Sequence, residues 1–160
     1  TTLFRSEFTD GYTICKFNNF YATNGTANDT QFPDCDLFIL RAAEAYLTYA
    51  EATARQNGGV ATADGITYLN QIRQRAHAAQ KAGYSLSDIC DEWSREFYFE
   101  GRRRMDLIRF NRYAGDVNYN WAWKGGTLTG RNIDKHYSLF AIPTTDLNQN
   151  VVNLTQNPGY

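Results

Sequence analysis

Leu40-Arg41-Ala42-Ala43-Glu44-Ala45-Tyr46-Leu47-Thr48-Tyr49-Ala50-Glu51-Ala52-Thr53-Ala54 (residues 40–54) carries Leu40, Ala43, Leu47, Ala50 and Ala54 at steps of three and four. That period sets the five on one face of an α-helix. The helix is expected to begin at about Asp36, after a stop at Phe32-Pro33-Asp34, and to end at Gly58-Gly59. A second run, from about Thr62 to Lys81, repeats the pattern with Ile66, Leu69, Ile72, Ala76 and Ala79, and Gly83 is a natural stop beyond it. Two such helices joined by a short Gly-rich turn should pack antiparallel. Their Ala-rich faces allow close approach, as in a tetratricopeptide-like hairpin, although one pair does not make a repeat.

Outward from this pair, Ser85 with Asp88 three residues on has the form of a capping box and opens a third helix. Leu86, Ile89, Trp93 and Phe97 give that helix its apolar face, and Gly101, Met105 and Ile108 carry it toward Phe110. Gly101 weakens a helix but lets a neighbour sit close. From Tyr113 to Tyr137 the period dissolves into Gly, Asn and aromatic residues, which predicts a long ordered loop. Pro143 can open a short helix through Leu147, and Pro158-Gly159 forbids one at the end. Residues 1–35 read as extended and looped, anchored by Tyr12, Ile14 and Phe17. The expected fold class is mostly α: tetratricopeptide-like helix pairs with long ordered loops, in one domain.

Composition removes several functions. Sixteen Lys and Arg stand against 17 Asp and Glu in 160 residues, so the field of a nucleic-acid binder is missing and nucleic acid is not an expected partner. No stretch has the apolar length of a bilayer span. Cys15, Cys35 and Cys90 match neither a zinc ribbon nor a redox pair, and read as small buried hydrophobes with at most one disulfide. His77 and His136 are too isolated for a metal cluster, and Asp29, Asp34 and Asp36 have the wrong spacing for a calcium loop, so neither metal nor cofactor is assigned. Thr1 follows no secretion signal, as expected of a chain cut from a longer one. The sequons at Asn24, Asn28 and Asn153 indicate surface loops at most.

Two constellations could carry chemistry. Glu92, Glu96 and Glu100 recur every four residues among Arg95, Arg102, Arg103, Arg104, Asp106 and Arg109. Paired carboxylates suit hydrolysis. The alternative is an ion-pair network: Glu100 with Arg104, Glu92 with Arg95, Asp106 with Arg109, and Arg73 or Arg75 reaching from the second helix. Glu44 and Glu51, with Arg41 and Arg55 nearby, form a similar stripe. The network is the expectation, because guanidinium partners keep carboxylates ionised and remove the raised-pKa acid that hydrolysis needs. The second constellation is Tyr119, Trp121, Trp123 and Lys124 before Gly125-Gly126. Alternating rings in a Gly-flanked segment suit stacking on sugar, with Lys or Asn bonding hydroxyls. They equally suit a loop pinned to the core by its indoles. No nucleophile elbow, phosphate loop, dinucleotide fingerprint or zinc-protease helix occurs.

Taken in order, five blocks resemble the SusD/RagB family. They are the Arg41-Ala42-Ala43-Glu44 and Tyr49-Ala50-Glu51-Ala52 turns, Leu69-Asn70-Gln71-Ile72-Arg73-Gln74-Arg75-Ala76, the run from Arg95 through Glu100-Gly101-Arg102-Arg103 to Asp106-Leu107-Ile108-Arg109, Leu139-Phe140-Ala141-Ile142-Pro143, and Gln156-Asn157-Pro158-Gly159-Tyr160. Asp91-Glu92-Trp93 departs from a common Glu-Arg pair, and Ala141 stands where Pro is common. Trp121-Ala122-Trp123-Lys124-Gly125-Gly126 looks like the subgroup nearest the starch-binding member. The resemblance implies that residues 1–160 are the C-terminal region of a non-catalytic, surface-exposed outer-membrane lipoprotein. Its lipid anchor and most of its aromatic glycan platform would lie upstream. The implied partners are an oligosaccharide, with starch-like glucans as first candidate, and a SusC-like TonB-dependent transporter that the protein would cover in support of uptake. A helical scaffold that touches the transporter and no sugar is the alternative.

Overall fold

The computed structural model describes residues 36–160 together with Lys16, Phe17 and Gly25. The expectations for Tyr12, Ile14, Cys15, Asn24, Asn28, Asp29, Phe32-Pro33-Asp34 and Cys35 lie outside the described residues. The chain forms two compact units, Thr1–Arg41 and Ala42–Tyr160, and the second is the subject here.

Helix α1 spans Ala42–Gln56 and buries Ala43, Leu47, Ala50 and Ala54, the face that the period predicts. It starts at Ala42 and not near Asp36, and Leu40 is exposed. The physical reason is that Leu37-Phe38-Ile39-Leu40 is a contiguous apolar run with no helical period, so the periodic face begins only at Ala43. Gly58 ends α1 in the left-handed region (φ 64°), and the Gly59 N–H returns to the Ala54 carbonyl at 2.8 Å.

Helix α2, Ala63–Arg75, is capped by Thr62, whose hydroxyl accepts from the Gly65 N–H at 3.3 Å. Gly65 lies against Ala50, where a Cβ would sit 3.4 Å from the Ala50 Cα. Further along, Tyr46 stacks on Tyr68 with centroids 5.0 Å apart. Later residues of α1 thus meet earlier ones of α2, and the pair is an antiparallel hairpin. It is shorter than the sequence predicts: α2 stops at Arg75, and Ala76 and Ala79 do not extend its face. His77 turns left-handed (φ 53°). Its N–H bonds the Gln74 carbonyl at 3.0 Å, and that of Ala78 bonds the Arg73 carbonyl at 2.8 Å. Gly83 is therefore not the stop. The Asn70 side chain instead pairs with both backbone groups of Lys81, at 2.9 and 3.0 Å, and holds the returning chain alongside α2.

Helix α3, Leu86–Glu96, carries the predicted capping box between Ser85 and Asp88. Hydrogen bonds from Lys81 and Ser85 hold the Asp88 carboxyl well below the usual carboxylate range. An antiparallel bridge between Val60 and Ser85 ties the start of α3 to the α1–α2 turn. The single third helix expected through Phe110 is two helices, because α4 spans Arg103–Arg109. Phe99 (φ 65°) and Gly101 (φ 75°) break it with left-handed backbone. No atom lies within 4 Å of a Cβ added at Gly101, so this glycine serves conformation and not close approach.

The core joins the buried faces of the first three helices: Leu47, Ala50, Leu69, Ile72, Tyr84, Ile89, Trp93 and Phe97. After α4 the chain is irregular apart from single-turn helices at Lys124–Gly126 and Lys135–Ser138 and α5, Thr144–Gln149. Pro143 precedes α5 and does not open it, and α5 runs two residues past Leu147. The fold is mostly α, with no named strand among the described residues.

Two substitutions separate packing from conformation. Leu69→Ala should lower the unfolding free energy by about 2–5 kcal/mol, because Leu69 is fully buried. Gly101→Ala should cost about 1–2 kcal/mol, from backbone alone. Urea unfolding followed by circular dichroism measures both, and the order of the two costs is the check.

Candidate functional site: an ionic clamp and an aromatic cleft

Glu51 lies on the buried side of α1 beside Ala50. Its carboxylate takes the Trp93 indole N–H at 2.8 Å, both Nε and Nη2 of Arg109 at 2.9 Å, and Arg55 Nε at 3.0 Å. Burial pushes the Glu51 carboxyl up, but hydrogen bonds and charge from Arg109 and then Arg55 outweigh it, and the net shift is down. Arg109 also donates to Asp106 at 2.8 Å. Asp106 is fully buried, with Arg102 Nε 3.4 Å from its Oδ2. Arg102 Nη1 reaches Glu44 at 2.8 Å, while its guanidinium lies 4.1 Å from the Trp93 ring centroid. The glutamates of α1 and the Gly101–Arg109 block are thus two halves of one clamp closed around the Trp93 indole.

A second cluster joins α2 to α3. Arg73 pairs with Glu92, Arg95 with Glu92 at 2.6 Å, and Arg75 with Glu96 at 2.6 Å. Arg104 goes elsewhere, donating to the carbonyls of Tyr137 and Ser138 at 2.8 and 3.2 Å. Glu100 sits in the non-helical link, so its expected one-turn relation to Arg104 is lost with the helix. Arg41 is the last residue of the first unit. Arg102, not named in advance as part of the network, is the partner of Glu44.

A cleft of about 400 Å³ opens between α4 and the segment after it, lined by Arg103, Arg104, Leu107, Tyr113, Tyr119 and Trp121. Tyr113 and Trp121 lie nearly parallel, with centroids 6.4 Å apart. Arg103 holds the wall in place, donating to the Cys90 carbonyl at 3.2 Å and the Tyr119 hydroxyl at 3.0 Å. Cys90 is a buried free thiol, pushed up by burial.

Of the four residues singled out from the sequence, Tyr119 and Trp121 meet in this cleft. Lys124 does not line it: its side chain is buried (2% exposed), and its Nζ donates to the Tyr119 carbonyl at 2.8 Å. Burial lowers its pKa. Trp123 is 66% exposed and left-handed (φ 71°), which takes it out of the alternation that Tyr119 and Trp121 share. Tyr113 and Arg103 are lining residues that periodicity could not have shown, since one follows a helix end and the other sits in a run of three arginines that spacing does not tell apart. Among the described residues no group of three or more His, Cys, Asp or Glu could hold a metal ion.

Fold and site define a helix-pair scaffold, locked by an ionic clamp and carrying an aromatic, arginine-edged cleft. The chain belongs to the SusD family, which it matches over residues 5–160. It is 43% identical over 97% of its length to the starch-binding protein SusD of Bacteroides thetaiotaomicron, and 37% identical over 55% to a SusD-like protein of Bacteroides ovatus. It covers 27% of the first of these curated relatives and 17% of the second, so it spans about a quarter or less of their length. Among solved structures, it resembles surface glycan-binding protein A from Bacteroides thetaiotaomicron with a TM-score of 0.64 and 27% identity, over 79% of this chain and 26% of that one. It also resembles a SusD superfamily protein from Parabacteroides distasonis with a TM-score of 0.63 and 26% identity, over 84% and 29%.

The clamp makes a prediction about pH. Because the Glu51 carboxyl is lowered in the folded state, its stabilisation is fully present above its unfolded value and is lost as pH falls through the lower folded value. Glu51→Ala should cost about 3–5 kcal/mol at neutral pH, since it strands Arg109 and the indole N–H. Lys81→Ala, in a pair open to solvent on both sides, should cost under about 1 kcal/mol. Unfolding midpoints measured from neutral to acid pH should converge for native and Glu51→Ala proteins as pH falls below the carboxylate range.

Proposed function

We propose that the protein is a non-catalytic glycan-binding component of the outer-membrane surface, which captures an oligosaccharide and passes it to a SusC-like TonB-dependent transporter. The observation that carries this reading is the 43% identity, over nearly the whole chain, to a protein named for starch binding. A starch-like glucan is accordingly the first candidate ligand of the parent protein, whose lipid anchor would lie upstream of these residues. The chemistry of the clamp supports binding over hydrolysis. Its carboxylates are held by guanidinium groups, and Glu51 is shifted down, whereas a general acid needs a carboxyl shifted up. Within this chain we assign the sugar contact to the cleft at Tyr119 and Trp121, with the exposed Trp123 two residues further on as a second candidate ring and Lys124 supporting the wall.

The second reading, a scaffold that contacts the transporter without touching sugar, is favoured by one feature. Tyr46 and Tyr49, both partly exposed, pack with Tyr68 on the outer side of the α1–α2 hairpin. Such aromatic surfaces are enriched at protein interfaces.

Calorimetry of the chain against a panel of neutral and acidic oligosaccharides tests the first reading. Binding to at least one member is expected, with at least tenfold loss, about 1.4 kcal/mol, in the Trp121→Ala/Trp123→Ala double variant. Unchanged affinity in that variant removes these indoles from the site. Release of shortened products on incubation would overturn the non-catalytic assignment. Transporter co-purification with a chain that ignores the whole panel would establish the scaffold reading.

A further inference from the structure

The cations of the chain are not evenly paired. Those of the clamp and of the α2–α3 cluster meet carboxylates, yet Arg103, Arg104, Arg112, Lys124, Arg131 and Lys135 make no ion pair among the described residues. Arg103 and Arg104 line the cleft, and Arg112 and Lys124 lie against the aromatic residues of its wall. Arg103 reaches the Tyr119 hydroxyl, Lys124 the Tyr119 carbonyl, and the Arg112 guanidinium lies 4.8 Å from the Tyr119 ring centroid. Arg104 lines the same cavity. Their partners are carbonyl oxygens, a hydroxyl, a thiol and ring faces, which satisfy individual donors without ion pairing.

Donors also remain. A guanidinium has five N–H groups. Arg103 uses only its Nη atoms and Arg104 only Nη2, so the Nε–H of each has no partner among the described residues. Two such donors, one from each guanidinium, can meet the two oxygens of a carboxylate. In the same cleft Tyr113 and Trp121 present nearly parallel ring planes, 26° apart, with the Arg104 guanidinium 5.0 Å from the Tyr113 centroid and Leu107 as an apolar wall. A neutral sugar would use the rings and leave the charge unmet. A small bare anion would do the reverse.

We propose that this cleft is a subsite for an acidic sugar unit, a uronate, whose pyranose ring stacks on Trp121 and Tyr113 while its carboxylate is taken by Arg103 and Arg104. The proposal rests on the glycan-binding reading and names the ligand class of that same site. It concerns this cleft alone and not the remainder of the parent protein.

Calorimetry of the full 160-residue chain with tetragalacturonate, maltotetraose and tetraglutamate tests it. Tetragalacturonate should bind at least about tenfold more tightly than the other two, and Arg104→Gln should lose about tenfold of that affinity, the equivalent of one charge-assisted contact. Should Arg104→Gln fail to fold, salt decides on the native chain: raising it toward about 0.5 M should weaken tetragalacturonate and leave maltotetraose unchanged. Maltotetraose binding as well or better, with loss in Trp121→Ala, overturns the acidic assignment and keeps the glycan reading. Equal binding of tetraglutamate overturns it in favour of charge alone. If no sugar binds, both readings of the cleft fall together.

Discussion

A buried carboxylate decides the architecture of Ala42–Tyr160. Glu51 sits on the same face of α1 as Ala50 and Ala54, where an uncompensated charge would be costly. The fold answers with four donors from Trp93, Arg109 and Arg55, each brought from a different direction. Once Glu51 is fixed there, Trp93 must lie with its N–H toward α1, and α4 must end close enough for Arg109 to straddle Glu51 and Asp106. Arg102 then covers the indole face and closes on Glu44. The hydrophobic core supplies most of the apolar burial, but it is non-directional. The clamp is directional, because its hydrogen bonds join α1, α3 and α4 through named atoms.

Periodicity made the helices legible and left their ends obscure. The buried face of α1 from Ala43 to Ala54, the antiparallel pairing with α2, and the capping box that opens α3 all follow from spacing and residue type. The stop at Gly58 was legible because glycine is the usual left-handed residue. The stops at His77 and Phe99 were not, because both take positive φ without glycine's freedom, held there by hydrogen bonds and packing that a sequence does not display. The break at Phe99 takes Glu100 off the helical stripe that spacing alone gives it, and Arg104 turns instead to the Tyr137 and Ser138 carbonyls.

The cleft shows the same division. Alternation correctly brings Tyr119 and Trp121 to one side of an extended segment, and the left-handed turn at Trp123 then ends the alternation. Lys124 looked like a ligand donor because it follows two indoles. It is in fact a buried strut, its ammonium held by the Tyr119 carbonyl near the Trp121 ring. Tyr113 comes to the site by tertiary contact and no local pattern marks it, while the Glu100-Gly101-Arg102-Arg103 block marks Arg103 without showing that it faces a cleft.

The clamp also bears on how much length the chain between its halves can tolerate. Glu51 and Arg109 are 58 residues apart, whereas the stacked pair of the hairpin closes only the loop from Tyr46 to Tyr68. Loop-closure entropy grows with the logarithm of length, so the longer closure costs only about 0.9 kcal/mol more than the shorter. Extra residues in the connection after α2 would therefore weigh little on stability, while a shift of one residue within the Arg102–Arg109 block would turn both arginines away from their glutamates. In this molecule spacing is strict inside the ionic blocks and permissive between them, as in two rigid jaws joined by slack cord.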